Sequence, residues 1–427
     1  MDVLRIVRWM VRAEWPVRVL SPVIGRYNPF HPSFRRDPYR VYRRLQQQAP
    51  VYFSPALRGW IVSRHGDVVR LLSDPRLSCD RRQASMAKKL EIFESMRPDL
   101  AQAVLRSLLM IDPPDHTRVR RLVSRAFTPR VVDRLADSTA GRVAELLDAM
   151  EKKGDPDVIR DLADPLPLAV IADLLGIPEE DRVRLKALSN DFVGLLDPIQ
   201  AEGGIDVMER AFDGLLAVLH RLFAARRREP RDDLVSGLVR AGEQGDVLSE
   251  AELDSLCLLL LVAGNETTTN LIGNATLALL RHGEQRPVLG GGPEALRLAV
   301  EEFLRFDSPI QATDRVATED LEIDGHRVRK GQVVGLLLGG ANRDPAVFAR
   351  PDELDLSRAD NPHVAFGHGV HFCLGAQLAR LEGRLAIGGL FERFPDLAAR
   401  GDAGPWKRSL VLRGLQALPV ELRAAAA

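Results

Sequence analysis

The chain has 427 residues, 45% of them hydrophobic, and its 59 basic and 59 acidic side chains cancel at neutral pH. A zero net charge leaves no electrostatic footprint for nucleic acid. Three cysteines, Cys79, Cys257 and Cys373, are too few and too scattered for a disulfide framework and fit a reducing, cytoplasmic compartment.

The chain opens on an arginine-studded segment. Arg5, Arg8 and Arg12 share one helical face, and arginines interrupt every apolar stretch, so residues 1–26 read as an N-terminal extension, a surface helix packed on its own domain rather than a cleaved signal. No apolar run approaches the roughly 18–20 residues of a membrane span, the longest being Leu256 to Ala263. Residues 27–427 read as one large domain without repeats or linkers.

Residues 51–64 alternate as a β-hairpin. Segments 135–154, 210–228 and 293–306 repeat apolar residues at three and four, which predicts amphipathic helices. A longer helix is predicted over 248–283, where Ser249 and Glu252 form a capping box and Leu256 to Ala263 is apolar nearly all round, so the helix is buried. At its centre, Gly264, Asn265, Glu266 and Thr267 are weak helix formers or polar, which predicts a local opening of the helix, either a satisfied kink or a site. A second hairpin follows over 321–339, with Asp324-Gly325 as its tight turn, and from Pro345 the text becomes irregular. The fold class is mainly α with small β-sheets.

The stretch FGHGVHFCLG (366–375) is permissive in backbone and rich in ligand types. Gly367 and Gly369 allow turns closed to other residues, and Cys373 stands just before a predicted helix, whose N-terminus stabilises a thiolate. Such a cysteine is a metal ligand, a nucleophile or an inert core residue. His368, His371 and Cys373 suggest zinc, but structural zinc takes four ligands and no partner cluster is evident; no base is nominated for a nucleophile.

The full pattern, Phe366-Gly367-x-Gly369-x-His371-x-Cys373-x-Gly375, resembles the haem-binding loop of the cytochromes P-450. AGNETT (263–268) is similar to that family's oxygen-activation motif, EFLR (302–305) to its Glu-x-x-Arg motif, and DPPDHTRVRRLVSRAF (112–127) to the bacterial stretch that meets the haem propionates. With ANRDP (341–345) and NPHVAFG (361–367), the likeness runs over roughly residues 27–424. It implies the triangular-prism fold of soluble bacterial members, with one haem b per chain held between the long helix and the helix after Cys373.

Carried over by resemblance, Cys373 is the axial thiolate, Phe366 shields its sulfur, and Ala263, Gly264 and Gly375 border the haem. His116, Arg120, Arg315 and His371 meet the propionates. Glu302, Arg305 and Arg358 form a structural triad. Glu266 and Thr267 are the acid–alcohol pair that relays protons to dioxygen. The resemblance further implies a monooxygenase acting on a lipophilic small molecule (a terpenoid, steroid, fatty acid or polyketide-like compound), by hydroxylation, with electrons from a separate ferredoxin or flavodoxin and its reductase, and with the chain working as a monomer. A peroxide-driven peroxygenase and a non-catalytic haem protein are the alternatives. Arg118, Arg121 and Arg125, with Arg380 or Arg384, are candidates for the donor-docking face. The pocket falls on Leu109, Phe192, Leu259, Val262, Asn265, Pro309, Ile310, Gln311, Ala312 and Leu410, with Val193 and Leu195 in a lid.

Overall fold

A computed structural model of the protein describes residues 25–422, apart from Ala56, 86–90, 92–93, 125–126, 193–204 and 244–247. The expected N-terminal helix, Arg125 and the two lid residues Val193 and Leu195 lie outside the described residues.

Helices dominate. Those that bear on the site are α1 (Tyr39–Gln48), α2 (His65–Leu72), α3 (Asp115–Ser124), α4 (Ala136–Glu151), α5 (Pro165–Leu175), α6 (Glu179–Phe192), α7 (Ile205–Arg228), α8 (Glu250–Arg281), α9 (Pro293–Phe306) and α10 (Ala376–Arg393). The central one is α8. The Ser249 hydroxyl accepts the Glu252 N–H at 3.2 Å while the Glu252 carboxylate accepts the Ser249 N–H at 2.8 Å, so the capping box read in the sequence is formed. The helix packs against α5, α9 and α10. Its most apolar 18-residue window has the hydropathy of a membrane span, contrary to the sequence reading, but 67% of that window is buried inside the protein. The apolar surface is matched by neighbouring helices rather than by lipid.

The main sheet has five strands: β1 (Val51–Ser54), β2 (Gly59–Val62), β3 (Leu77–Ser78), β4 (Thr313–Ala317) and β7 (Val333–Leu336), in the order β1-β2-β7-β4-β3. β1 and β2 form the first expected hairpin, antiparallel with Val51 opposite Val62. The second hairpin is β5 (Leu321–Ile323) with β6 (His326–Val328), turning through Asp324 at φ 48° and Gly325 at φ 75°, the left-handed pair that a two-residue hairpin needs. β4 carries Arg315 into the interior and β7 pairs it on one side. The sheet thus serves as the wall that presents this arginine.

Candidate active site

The cysteine loop is closed by its own backbone. The Cys373 N–H donates to Phe366 O at 2.9 Å, and the Phe372 N–H to Gly369 O at 3.0 Å. Gly367 and Gly369 both sit at φ 73°, and a Cβ on Gly369 would stand 2.8 Å from Ser73 Oγ and 3.2 Å from Leu72 O, so the loop docks on the end of α2 only through glycine. Cys373 keeps open surface although its thiol lies deep among protein atoms. Burial pushes this thiol up, while the Gly375 N–H, Arg120 and Arg380 pull it down, and burial prevails. The expected helix-terminus effect therefore operates but is outweighed by burial; a bound metal ion would supply the missing charge. Among the described residues, the three groups close enough to share a metal are Cys79, Asp112 and His371, and Cys373 is not one of them. A zinc site built on His368, His371 and Cys373 is not formed.

Beside the loop lies a cluster of basic groups. The rings of His116 and His371 are 4.1 Å apart, and both ring nitrogens of His116 and Nε2 of His371 are buried without a partner. Arg315 is buried and donates only to neutral oxygens, Thr313 Oγ1 at 3.2 Å and Asp314 O at 2.8 Å. Arg120 donates to Phe372 O at 2.6 Å. Burial, then the neighbouring His116, Arg315 and Arg120, bring His371 down to about 3, and burial also lowers His116 and Arg120. Asp112 is already engaged by Ser78 Oγ and the Cys79 N–H. One buried guanidinium, one half-buried guanidinium and two imidazoles without a carboxylate partner suit the two carboxylates of a haem. The residues present fit that group.

The third component is one face of α8. Between Leu256 and Asn270 the helix is buried except for Leu259, Ala263, Gly264, Glu266 and Thr267, whose spacing makes a single stripe. A Cβ on Gly264 would meet nothing within 4 Å. The helix is not opened there, contrary to the sequence reading; it runs unbroken from Glu250 to Arg281. The polar side chains are accommodated by bonding back to the helix. Thr267 Oγ1 donates to Ala263 O at 2.9 Å, and Thr269 Oγ1 is shared between Asn265 O at 3.1 Å and Ala163 O at 2.9 Å. Asn265 is buried on the Thr269 side of the helix, off the stripe.

Glu266 does not stand alone. Lys407 Nζ donates to its Oε1 at 2.6 Å and to Asn270 Oδ1 at 3.2 Å. Nothing in the sequence singled out Lys407, which lies in an aperiodic stretch that meets α8 only through the fold.

The expected triad is formed. Glu302 accepts Arg305 Nε and Nη2 at 2.8 Å each and Arg358 Nε at 3.1 Å. It also accepts the Asp355 N–H at 2.9 Å and Asn361 Nδ2 at 3.2 Å. Arg305 spends its remaining donors on the carbonyls of Asn342, Pro351 and Glu353. Asn342 Oδ1 in turn accepts the Val364 N–H at 2.7 Å, two residues before Phe366. A second clamp, absent from the sequence reading, joins Glu301 to Arg380 at 2.6 and 2.8 Å and to His363 at 3.0 Å, and the Arg380 guanidinium lies 4.6 Å over the Phe366 ring.

Some expectations are corrected. Phe192 stacks on Phe212 at 6.0 Å in the core between α6 and α7, because the amphipathic packing of those helices takes it inward. Gln311 accepts from Tyr42 OH at 3.0 Å and donates to Ser308 O at 2.8 Å, which leaves it a structural role. Arg118 is paired with Glu252 and Arg380 with Glu301, so neither is an uncommitted docking charge. Arg121 is engaged as well. Leu109 is exposed, Leu259, Ile310 and Leu410 are half-buried and Val262 is buried. Those half-buried three, with Ala312, combine apolar character with partial access, and Ile310 is bridged to Leu412 near Leu410.

A family profile described as cytochrome P450 matches residues 294–407. Over 405 residues the chain is 39% identical to the polyketide biosynthesis cytochrome P450 PksS of Bacillus subtilis (strain 168), covering 92% of this chain and 98% of that protein. The solved structure of PksS superposes with a TM-score of 0.84 at 38% identity, covering 93% and 99% of the two chains. The vitamin D(3) 25-hydroxylase of Pseudonocardia autotrophica is 40% identical over 403 residues, 93% of this chain and 96% of that one. Epothilone B-bound cytochrome P450epoK superposes with a TM-score of 0.88 at 32% identity, over 93% of this chain and 100% of that one.

Proposed function

The chain belongs to the cytochrome P450 family, and on that premise we propose that it uses dioxygen and two electrons to hydroxylate a lipophilic small molecule of polyketide, steroid, terpenoid or fatty-acid type. It is an oxidoreductase whose cofactor is haem. When bound, haem supplies the activation of dioxygen that lets one oxygen atom enter an unactivated carbon–hydrogen bond.

The chain's own residues divide the remaining work. Cys373 Sγ would hold the iron. His116, Arg120, Arg315 and His371 receive the two carboxylates of the cofactor, which satisfies ring nitrogens that have no partner in the protein. Gly264 and Ala263 leave space on the α8 stripe for dioxygen and water. Thr267 Oγ1 donates to Ala263 O, so its lone pairs face outward as acceptors; to pass a proton the hydroxyl accepts one, turns from Ala263 O and releases its own. Glu266 brings protons from solvent to that hydroxyl. Leu259, Ile310 and Leu410 supply the apolar wall for the substrate.

The observation that carries this reading is the α8 stripe, where an acid and an alcohol stand on the only uncovered face of a buried helix stretch. A peroxide-driven enzyme has no need of that pair, so it favours the oxygen-dependent reading. Electrons then come from a separate ferredoxin or flavodoxin with its reductase. The three free cysteines support a reducing, cytoplasmic setting, and we take the chain to work as a monomer.

The test begins with the reduced protein under carbon monoxide. A strongly red-shifted Soret band that disappears in Cys373→Ser is expected. Thr267→Ala should keep this band and its helix content, since its back-bond adds little to a helix. It should release on the order of tenfold more hydrogen peroxide per reductant consumed. Unchanged peroxide release would return the peroxide-driven reading.

A further inference from the structure

The segment that delivers Lys407 is fastened on three sides. The Lys407 N–H donates to Gly414 O at 2.9 Å, and Trp406 bridges Leu415, so residues 405–416 double back on themselves. Arg413 anchors the turn: its Nε donates to Asp307 Oδ1 and its Nη1 to Arg35 O, each at 2.6 Å, and its guanidinium lies 3.5 Å from the Trp406 ring. The third side is α8 itself. Glu266, Asn270 and Asn274 are spaced by four and form a polar ladder down one face. Lys407 takes the first two rungs, and Asn274 Nδ2 donates to Arg413 O at 3.0 Å. The fit leaves no slack, since a Cβ at Gly414 would collide with the Asn270 side chain.

Lys407 and Glu266 are 18% and 13% exposed in their side chains, so the pair is shielded enough to hold a fixed geometry. Lys407 occupies Oε1, and Oε2 has no hydrogen-bond partner among the described residues. We propose that Lys407 is a positioning residue for proton delivery: by fixing Oε1 it turns Oε2 of Glu266 toward the α8 stripe as the oxygen that carries the proton. This rests on the reading of Glu266 as the relay acid. A proton taken from solvent at Oε2 passes to Thr267 Oγ1, which turns from Ala263 O and releases its own proton toward the oxygen being reduced, and Oε2 is again an unprotonated carboxylate oxygen. The Lys407 ammonium is unchanged throughout. Losing Lys407 frees the carboxylate to rotate, so both oxygens compete for solvent and the alcohol loses its donor for part of the time.

The proposal is tested on the haem-loaded enzyme with Lys407→Met, Lys407→Arg, Glu266→Gln and the double variant Lys407→Met/Glu266→Gln. Two quantities are read. One is the C–O stretching band of the reduced carbon monoxide complex, which senses the local field without turnover. The other is the ratio of hydrogen peroxide to water formed from dioxygen by a ferredoxin-driven enzyme without organic substrate. Lys407→Met is expected to shift the band and to raise the ratio about tenfold, a part of what a general acid contributes. Lys407→Arg, which keeps a cation on Oε1, should restore both toward wild type. In the Glu266→Gln background, Lys407→Met should change neither. An unshifted band with an unchanged ratio in Lys407→Met overturns the proposal. So does a Lys407→Met effect that persists in full without Glu266, because the lysine then acts by itself or by shaping the turn. If Glu266→Gln alone leaves the ratio unchanged, the relay reading fails first, and that result is separate from any behaviour of Lys407.

Discussion

Around Glu302, five donors converge on two carboxylate oxygens: Arg305 twice, Arg358, Asn361 and the Asp355 N–H. Around His116 and His371, three buried ring nitrogens have no partner, and two nearby guanidiniums find only neutral oxygens. Both regions are polar, buried and close to the cysteine loop. In the first, the carboxylate is matched by guanidiniums of the chain itself, although Arg358 Nη2 and Asn361 Oδ1 stay without a partner, and the cluster holds the chain in place. The second is unfavourable in the protein alone, since desolvated basic groups crowd one another, and becomes favourable when an anion arrives. Cations matched by a carboxylate of the chain mark structure here, and basic groups without one mark the binding site.

The sharpest way to break this comparison is to remove Glu302. Glu302→Ala leaves Arg305 as a buried charge with no counter-ion, at a cost of about 3–5 kcal/mol. It also releases the Asp355 N–H and Arg358, and with them the irregular segment that leads to Phe366. Loss of haem incorporation together with a lowered denaturation midpoint of the haem-free protein is expected. Normal haem content would place the loop's support elsewhere, with the Glu301–Arg380 clamp as the next candidate.

Arg315 should behave in the opposite sense. Arg315→Met removes one charge-assisted hydrogen bond to a carboxylate, about 1.5–3 kcal/mol, so haem binding should weaken by roughly ten- to a hundredfold. The haem-free protein should not lose stability, and a gain is consistent with relieving a buried cation. Haem titration and denaturant unfolding of the haem-free protein measure the two sides separately. If Arg315→Met destabilised the haem-free fold as Glu302→Ala does, the division between completed and incomplete regions would collapse.

Local chemistry made much of this legible in the sequence. The capping box at Ser249 and Glu252, the Asp324-Gly325 turn and the helix over 293–306 are all decided by residues within a few positions of each other. The same holds for the Glu302–Arg305 pair, three apart on one helix. What the sequence hid depends on contacts across the chain. Lys407 reaches Glu266 from 141 residues away, and Asn342 reaches Val364 from an irregular segment without periodicity. Thr267 misled in a different way. Weak helix propensity suggested an opening, yet tertiary packing on both sides of α8 and the bond to Ala263 O keep the helix intact. Gln311 and Phe192 had the right composition for a pocket, but their partners, Tyr42 and Phe212, are set by the fold.

A finer test lies in the second clamp on the completed side, where pH supplies the probe. Burial alone would raise the Glu301 carboxyl, but its bonds to Arg380 and His363 bring it down to about 2 from an ordinary value near 4.5. A carboxyl depressed on folding stabilises the native state above its unfolded value and ceases to do so as pH falls through its folded one. The contribution of Glu301 should therefore be complete at neutral pH and fade between about 4.5 and about 2. Glu301→Gln keeps the shape and removes the charge. Its unfolding midpoint in denaturant should lie below wild type at pH 7, and the gap should narrow as pH falls through that window. A gap that stays constant with pH would mean that Arg380 gains its hold on Glu301 from shape and packing over Phe366 rather than from charge. The completed side would then be held by contacts that no titration reaches, and charge pairing would lose its place as the mark of structure near Cys373.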